Sequence, residues 1–168
     1  TVTGLNGTDL SGDVTVTING VIWNGVVNSE GVGSVTVPGL SAGNYTAEIK
    51  YIGNDNYFES NATVNFTVRK HNTTTSASID NIIYGDNATV NITVIGLNGT
   101  DLSGDVTVTI NGVIWNGVVN SEGVGSVTVP GLSAGNYTAE IKYIGNDNYF
   151  ESNATVNFTV RKHNTTTS

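Results

Sequence analysis

The chain repeats itself. Gly4-Leu5-Asn6-Gly7-Thr8-Asp9-Leu10 returns as Gly96-Leu97-Asn98-Gly99-Thr100-Asp101-Leu102, an interval of 96 − 4 = 92 residues. Slid by that interval, residues 1–76 match residues 93–168 with one difference, Thr3 against Ile95. A fixed period of this length marks an array of similar domains, and any reading of the chain as one domain fails on it. The stretch from Ser60 to Val94 is then a seam. Asn61-Ala62-Thr63-Val64-Asn65 lies in the last strand of one copy, and Asn87-Ala88-Thr89-Val90-Asn91 in an early strand of the next. On this frame residues 71–162 are a complete repeat. Residues 1–70 are a copy lacking its first strand and part of its second, and residues 163–168 start a third. A window cut from a longer array is expected to look like this.

Within the repeat the apolar pattern has period two, the signature of strands with one buried and one wet face. It runs through Ala88 to Val94, Val106 to Ile110, Val127 to Val129, Tyr137 to Tyr143 and Ala154 to Val160. Thr74 to Ile79 and Val113 to Val119 add two more strands, which makes about seven per repeat. Asn111-Gly112 is the dipeptide of a tight hairpin turn, because both residues tolerate positive φ. Asn98-Gly99, Asn116-Gly117 and Pro130-Gly131 read as further turn signals. No segment has a helical period. The expected fold is all-β, with two antiparallel sheets packed face to face or a barrel.

Charge narrows the partners. The chain has 14 acidic and 6 basic side chains, a formal net charge of −8, spread evenly. Nucleic acid and anionic membrane surfaces require clustered Lys and Arg, so neither is expected as a partner. The absence of cysteine removes disulfides and thiolate metal sites. No apolar run is long enough for a membrane span, so no membrane insertion is expected in this segment. Enzyme motifs are missing too: there is no Gly-x-Ser-x-Gly, no His-based triad and no Gly-rich loop opening a helix. The chain reads as a non-enzyme.

Ser133-Ala134-Gly135-Asn136-Tyr137-Thr138-Ala139 resembles the strand-F signature of immunoglobulin domains, with Ala139 where the cysteine would stand. The resemblance makes Tyr137, and Tyr45 in the first copy, corner tyrosines whose hydroxyls bond back to the upstream chain. Trp115 follows the Asn111-Gly112 turn, later than the strand-C tryptophan of antibody domains. The phrase Tyr143-Ile144-Gly145-Asn146-Asp147-Asn148-Tyr149 through Ser152, with Tyr84-Gly85-Asp86 and Val129-Pro130-Gly131-Leu132, resembles the bacterial Ig-like repeats of large cell-surface adhesin-like proteins. The Asn- and Thr-rich flavour is most similar to those of methanogenic archaea. The resemblance covers the whole repeat and implies tandem immunoglobulin-like β-sandwiches at an extracellular cell surface.

Several residues are candidates for chemistry. There are 12 Asn-x-Ser/Thr sequons, and a used sequon must be accessible. Asn91, Asn136 and Asn157 alternate with apolar neighbours and should point outward. With Asn44, Asn65, Asn72 and Asn98 they are the glycosylation candidates. Asn- and Thr-rich composition also generates sequons by chance. His71 and His163 occupy equivalent positions in what reads as a polar linker, about Lys70 to Thr75, and are expected to be solvated. Asp147 and Glu151, or Asp80 and Asp86, are candidate oxygen ligands for calcium at repeat junctions, although no Asp-x-Asp-x-Asp-Gly loop is present. Lys142 and Lys162 raise an internal Lys–Asn crosslink, but neither sits on a buried phase. No cofactor is expected. Trp115 is a candidate sugar-stacking aromatic, with Tyr149 and Phe150, weighed against a place in the core.

These readings point to a stalk or fibre module, in which near-identical sandwiches act as spacer and project something from the cell. The partners are then neighbouring repeats of the same protein. One alternative is an adhesive module that binds glycan or a partner-cell surface. Another is a filament built by strand exchange, because an unfinished sandwich offers an open edge for self-association by strand addition.

Overall fold

The computed structural model describes residues 1–168. The chain contains no helix and forms two units, Thr1–Arg69 and Lys70–Ser168. The first unit holds β1 (Gly12–Ile18), β2 (Val21–Val27), β3 (Gly43–Tyr51) and β4 (Ser60–Val68) in one antiparallel sheet of order β2-β1-β3-β4. The second holds β5 (Thr74–Ile79), β6 (Ile82–Ile83), β7 (Ala88–Ile95), β8 (Gly104–Ile110), β9 (Val113–Val119), β10 (Val124–Val129), β11 (Gly135–Tyr143) and β12 (Ser152–Arg161). These make two sheets, β10-β7-β5 and β6-β12-β11-β8-β9. All pairs are antiparallel except β6 with β12, which run parallel through Val160↔Ile82 and Arg161↔Ile83. The second unit is an immunoglobulin-like β-sandwich.

Alternation builds the core. Ala88, Val90, Ile92 and Val94 of β7 are at most 1% exposed, while Thr89, Asn91, Thr93 and Ile95 between them face outward. Opposite them sit Val106, Val108 and Ile110 of β8, Ala139, Ile141 and Tyr143 of β11, and Phe158 and Val160 of β12, in one buried cluster. Burying each such side chain contributes roughly 1.5–3 kcal/mol, so this two-sided layer is the main stabilising term.

The hairpin between β8 and β9 closes at Ile110↔Val113, with Asn111 at φ 49° and Gly112 at φ 78°. Two positive φ values match the right-handed twist of the strands and explain the Asn-Gly pair. Asn116-Gly117, by contrast, does not turn: it lies inside β9. Gly117 is required for packing, because a Cβ there would meet Val127 Cγ2 at 2.5 Å. The strand expected over Val113 to Val119 is found with those bounds, and the turn reading of Asn116-Gly117 fails because glycine marks close approach as readily as it marks a bend. The two-residue β6 was not anticipated either, being too short to show a period.

The two units share sequence but not surroundings. Residues 1–69 match residues 93–161, so only Thr1-Val2-Thr3 corresponds to any part of β7. That remnant keeps native contacts: Val2 N donates to Gly31 O at 2.7 Å, as Val94 N does to Gly123 O at 2.8 Å, and the Val2 side chain packs against Val14, Val27 and Tyr51. The remainder differs. Val124–Val129 is a strand whose pairing partner is β7, whereas the same sequence at residues 32–37 forms no strand. Val108 and Ile141 are at most 1% exposed, while their counterparts Val16 and Ile49 are half-buried. Tertiary pairing, not intrinsic propensity, decides whether this sequence is a strand.

Amide exchange tests this within one molecule. Amides of Val124–Val129 that pair with β7 should exchange at least roughly a hundredfold more slowly than those of residues 32–37, the factor given by about 3 kcal/mol of local opening free energy. NMR separates the two copies. Equal rates would show that β10 does not owe its order to β7.

Candidate functional site

Three loops meet at one end of the second unit: residues 96–103, 120–123 and 144–151. Asn146 ties two of them together. Its Nδ2 donates to Asp101 O (3.2 Å) and Ser103 O (3.0 Å), and its Oδ1 accepts from Asn148 N (2.9 Å) and Tyr149 N (3.0 Å). One amide thus satisfies four backbone groups that no strand can pair. Tyr149, 3% exposed, places its hydroxyl against Thr100 Oγ1 and Leu97 O. Tyr143 donates to Leu102 O at 3.0 Å. Burial, then the nearby Tyr149 and Asp101, pushes the Tyr143 phenol above its ordinary pKa. Asp101 moves the other way. Hydrogen bonds from the Ser103 hydroxyl and the Ser103 backbone N–H hold its carboxyl below the ordinary 3.8.

The segment that reads as a polar linker is seated on this cluster. Lys70 Nζ donates to Asn146 O (2.6 Å), His71 N to Asn148 O (2.8 Å), and Phe150 N to His71 O (2.9 Å). Thr73 Oγ1 donates to Phe150 O (2.9 Å) and meets Ser152 Oγ (2.7 Å), which also meets Thr75 Oγ1 (2.6 Å). His71 pairs in parallel with Tyr149, and their rings lie 6.3 Å apart. The polar side chains that suggested a solvated linker are the ones that dock it. The His71 side chain is exposed, but its backbone is not free.

The strand sequons show a second pattern. Asn136 and Asn157 face each other's motifs across β11 and β12: Thr159 Oγ1 donates to Asn136 Oδ1 (2.9 Å), and Thr138 Oγ1 to Asn157 Oδ1 (2.7 Å). The first copy repeats this clasp between Thr67 and Asn44 (2.8 Å) and between Thr46 and Asn65 (2.7 Å). Each sequon hydroxyl is bonded to the other motif's amide, so Asn-x-Thr has a structural use here as a cross-strand ladder. Asn91 is exposed on central strand β7, opposite Ser78 and Ser126. Asn72 and Asn98 are exposed outside strands.

The remaining candidates are scattered. Tyr137 OH donates to Ser133 O (2.8 Å) and Tyr45 OH to Ser41 O (2.7 Å). Tyr137 also stacks on Phe158 at 5.5 Å. Trp115 is half-buried and packs against the core cluster with part of its surface exposed. Phe150 is 50% exposed. Glu151 is paired with Lys142 at 2.7 Å, and no three His, Asp or Glu side chains gather in one place. Asp80, Asp86 and Asp147 are exposed and separate.

No family model matches the chain, and no curated protein does. Solved structures do. Invasin, a bacterial integrin-binding protein, aligns over 95% of this chain and 34% of its own, at TM-score 0.55 and 20% identity. A 1.5-MDa bacterial ice-binding adhesin, in a structure concerned with retention at the host cell surface, aligns over 92% of this chain at TM-score 0.41 and 24% identity. This chain spans about half of that structure, 54%. Fibronectin(III)-like modules of Clostridium thermocellum CbhA align over 99% of this chain and 88% of theirs, at TM-score 0.46 and 11% identity. The likeness to invasin is one of fold.

Two measurements probe the loop cluster. Asn146→Ala should destabilise the second unit by about 2–4 kcal/mol, since it orphans two carbonyls and two N–H groups; urea unfolding checks this. Because the Asp101 pKa is depressed in the fold, its contribution is full above the ordinary value of 3.8. It is lost as pH falls from there through the folded value. Acidification in that window should shift the Ser103 amide resonance, and Asp101→Asn should abolish that pH dependence.

Proposed function

We propose that this chain is a stretch of an extracellular, cell-surface adhesin-like protein in which tandem Ig-like sandwiches serve as a load-bearing spacer. One observation carries the reading. The two ends of the second unit are held by parallel pairs: His71 beside Tyr149, and β6 beside the end of β12. Tyr84 N donates to Arg161 O (2.7 Å), and Asn81 Oδ1 accepts from Thr159 N (2.8 Å). Tension applied through Lys70 and Lys162 drives parallel strands past each other, so these bonds are loaded together in shear. Antiparallel neighbours pulled from one end open one bond at a time. A module whose ends are fastened this way resists being drawn out.

The repeat supports the same reading. Identical copies suit a spacer, which needs length, better than recognition, which needs variety. Only Arg69 lies between the last residue of β4, Val68, and the docked Lys70. An extracellular setting fits the likeness to invasin, a bacterial integrin-binding protein. Glycans on exposed sequons such as Asn91 and Asn98 would add shielding.

Pulling the 168-residue chain by its ends in a force spectrometer should give a distinct peak for the second unit. Tyr84→Pro, which deletes the donor to Arg161 O, should speed unfolding under load roughly tenfold, as loss of one hydrogen bond implies. Unfolding without a peak, or a peak indifferent to this variant, would remove the load-bearing reading.

A further inference from the structure

The five-stranded sheet of the second unit ends differently on its two sides. One edge is β6, only two residues long. The other is β9, seven residues long. Short strands, charges and proline are what keep sheet edges from pairing with other chains. β9 has none of these guards: from Val106 to Ser121 the β8–β9 hairpin carries no charged residue and no proline. Its pairing with β8 closes at Ile110↔Val113, and antiparallel bonds alternate, so the backbone groups of Val113, Trp115 and Gly117 face β8. Those of Ile114 and Asn116 face away from it, and no other backbone group bonds them.

The side chains along this open edge are apolar and wet. Val113, Ile114 and Val118 are 53%, 60% and 64% exposed. In the first unit β2 is also an edge strand, and its Val21, Ile22 and Val26 are 54%, 59% and 64% exposed. The strip keeps its exposure with or without an opposing sheet, so it belongs to the hairpin itself.

We propose that β9 pairs with β9 of a second copy, edge to edge and antiparallel, so that two five-stranded sheets run on as one. Unpaired backbone groups call for a strand as partner. The strand's own sequence selects which one. About a two-fold axis at Asn116, Val113-Ile114-Trp115-Asn116-Gly117-Val118-Val119 is complementary to itself. Ile114 meets the partner's Val118, and Asn116 meets the partner's Asn116. Trp115 comes opposite the partner's Gly117, a wide side chain beside a position that has none. Charge favours the same occupant. A chain with a net charge of −8 repels its copy over most of its surface, and least along this uncharged hairpin. Each copy offers the same surface, so the contact is isologous and closes on a pair.

Crosslinking tests the register. The chain has no cysteine, so a single introduced thiol reports alone. Asn116 lies on the proposed axis, about 5.5 Å between Cα atoms from its counterpart and within disulfide reach. Asn116→Cys should therefore give a covalent dimer on mild oxidation. Ile114→Cys, also exposed on the same strand, should give at least about tenfold less, because its counterpart lies roughly 14 Å away in that register. Ile22→Lys together with Ile114→Lys should weaken the concentration-dependent pairing of the intact chain, read by light scattering, at least about tenfold, as loss of one covered aliphatic side chain implies. A monomer at every concentration with no covalent dimer from Asn116→Cys overturns the proposal. So does faster crosslinking of Ile114→Cys, or an association that the two lysines leave unchanged. The force measurement pulls single chains, so the spacer reading stands or falls without reference to this pairing.

Discussion

The second unit depends on β7. Its four inward side chains are at most 1% exposed, and it pairs with β5 on one side and β10 on the other. A sheet face left in water keeps its alternation but gains little, because the hydrophobic contribution comes from area removed from solvent on both partners. The first unit shows this directly. There the same residues lose their opposing layer, Val16 and Ile49 stay half-buried, and residues 32–37 never become a strand. What survives, β1 through β4, is the sheet whose strands pair with one another in sequence order or nearly so.

Much of the fold was legible in the sequence because period two is a strong signal where one face is buried. Ala88 to Val94 and Tyr137 to Tyr143 alternate cleanly and are strands with those faces inward. Three features were not legible. Asn116-Gly117 carries turn composition, yet Gly117 is there to admit Val127. β6 has only two residues, and its pairing to β12 reflects where the chain returns, not what it is made of. The segment Lys70 to Thr75 is polar, and polarity alone cannot distinguish side chains that face water from side chains that satisfy a loop's backbone.

The candidate site was legible only in pieces. Asn146 lay within the phrase that carried the family resemblance, but nothing in its spacing announced four hydrogen bonds. The sequons were visible, yet their reciprocal pairing across β11 and β12 needs the register Asn136↔Thr159 and Thr138↔Asn157, which no single strand contains. A motif that is defined by two residues in one strand can be used by two strands at once. Here the amide-hydroxyl vocabulary of a modification signal doubles as cross-strand bonding, which gives a reason for its recurrence at equivalent places in both copies.

The parallel contact between β6 and β12 has a consequence for how such an array is made. Val160 and Ile82 are 160 − 82 = 78 residues apart, nearly a full repeat. Contacts of such sequence separation form late, because loop closure has to precede the pairing that rewards it. A repeat leaving the ribosome therefore cannot fasten its ends until its final strand is out. At that moment most of the next copy, with strands of the same sequence, has not been synthesised. Identical neighbours are a hazard for misassembly when they search for partners together. Synthesis from one end separates them in time, so the order of manufacture supplies a discrimination that the amino-acid sequence, being the same in each copy, does not hold.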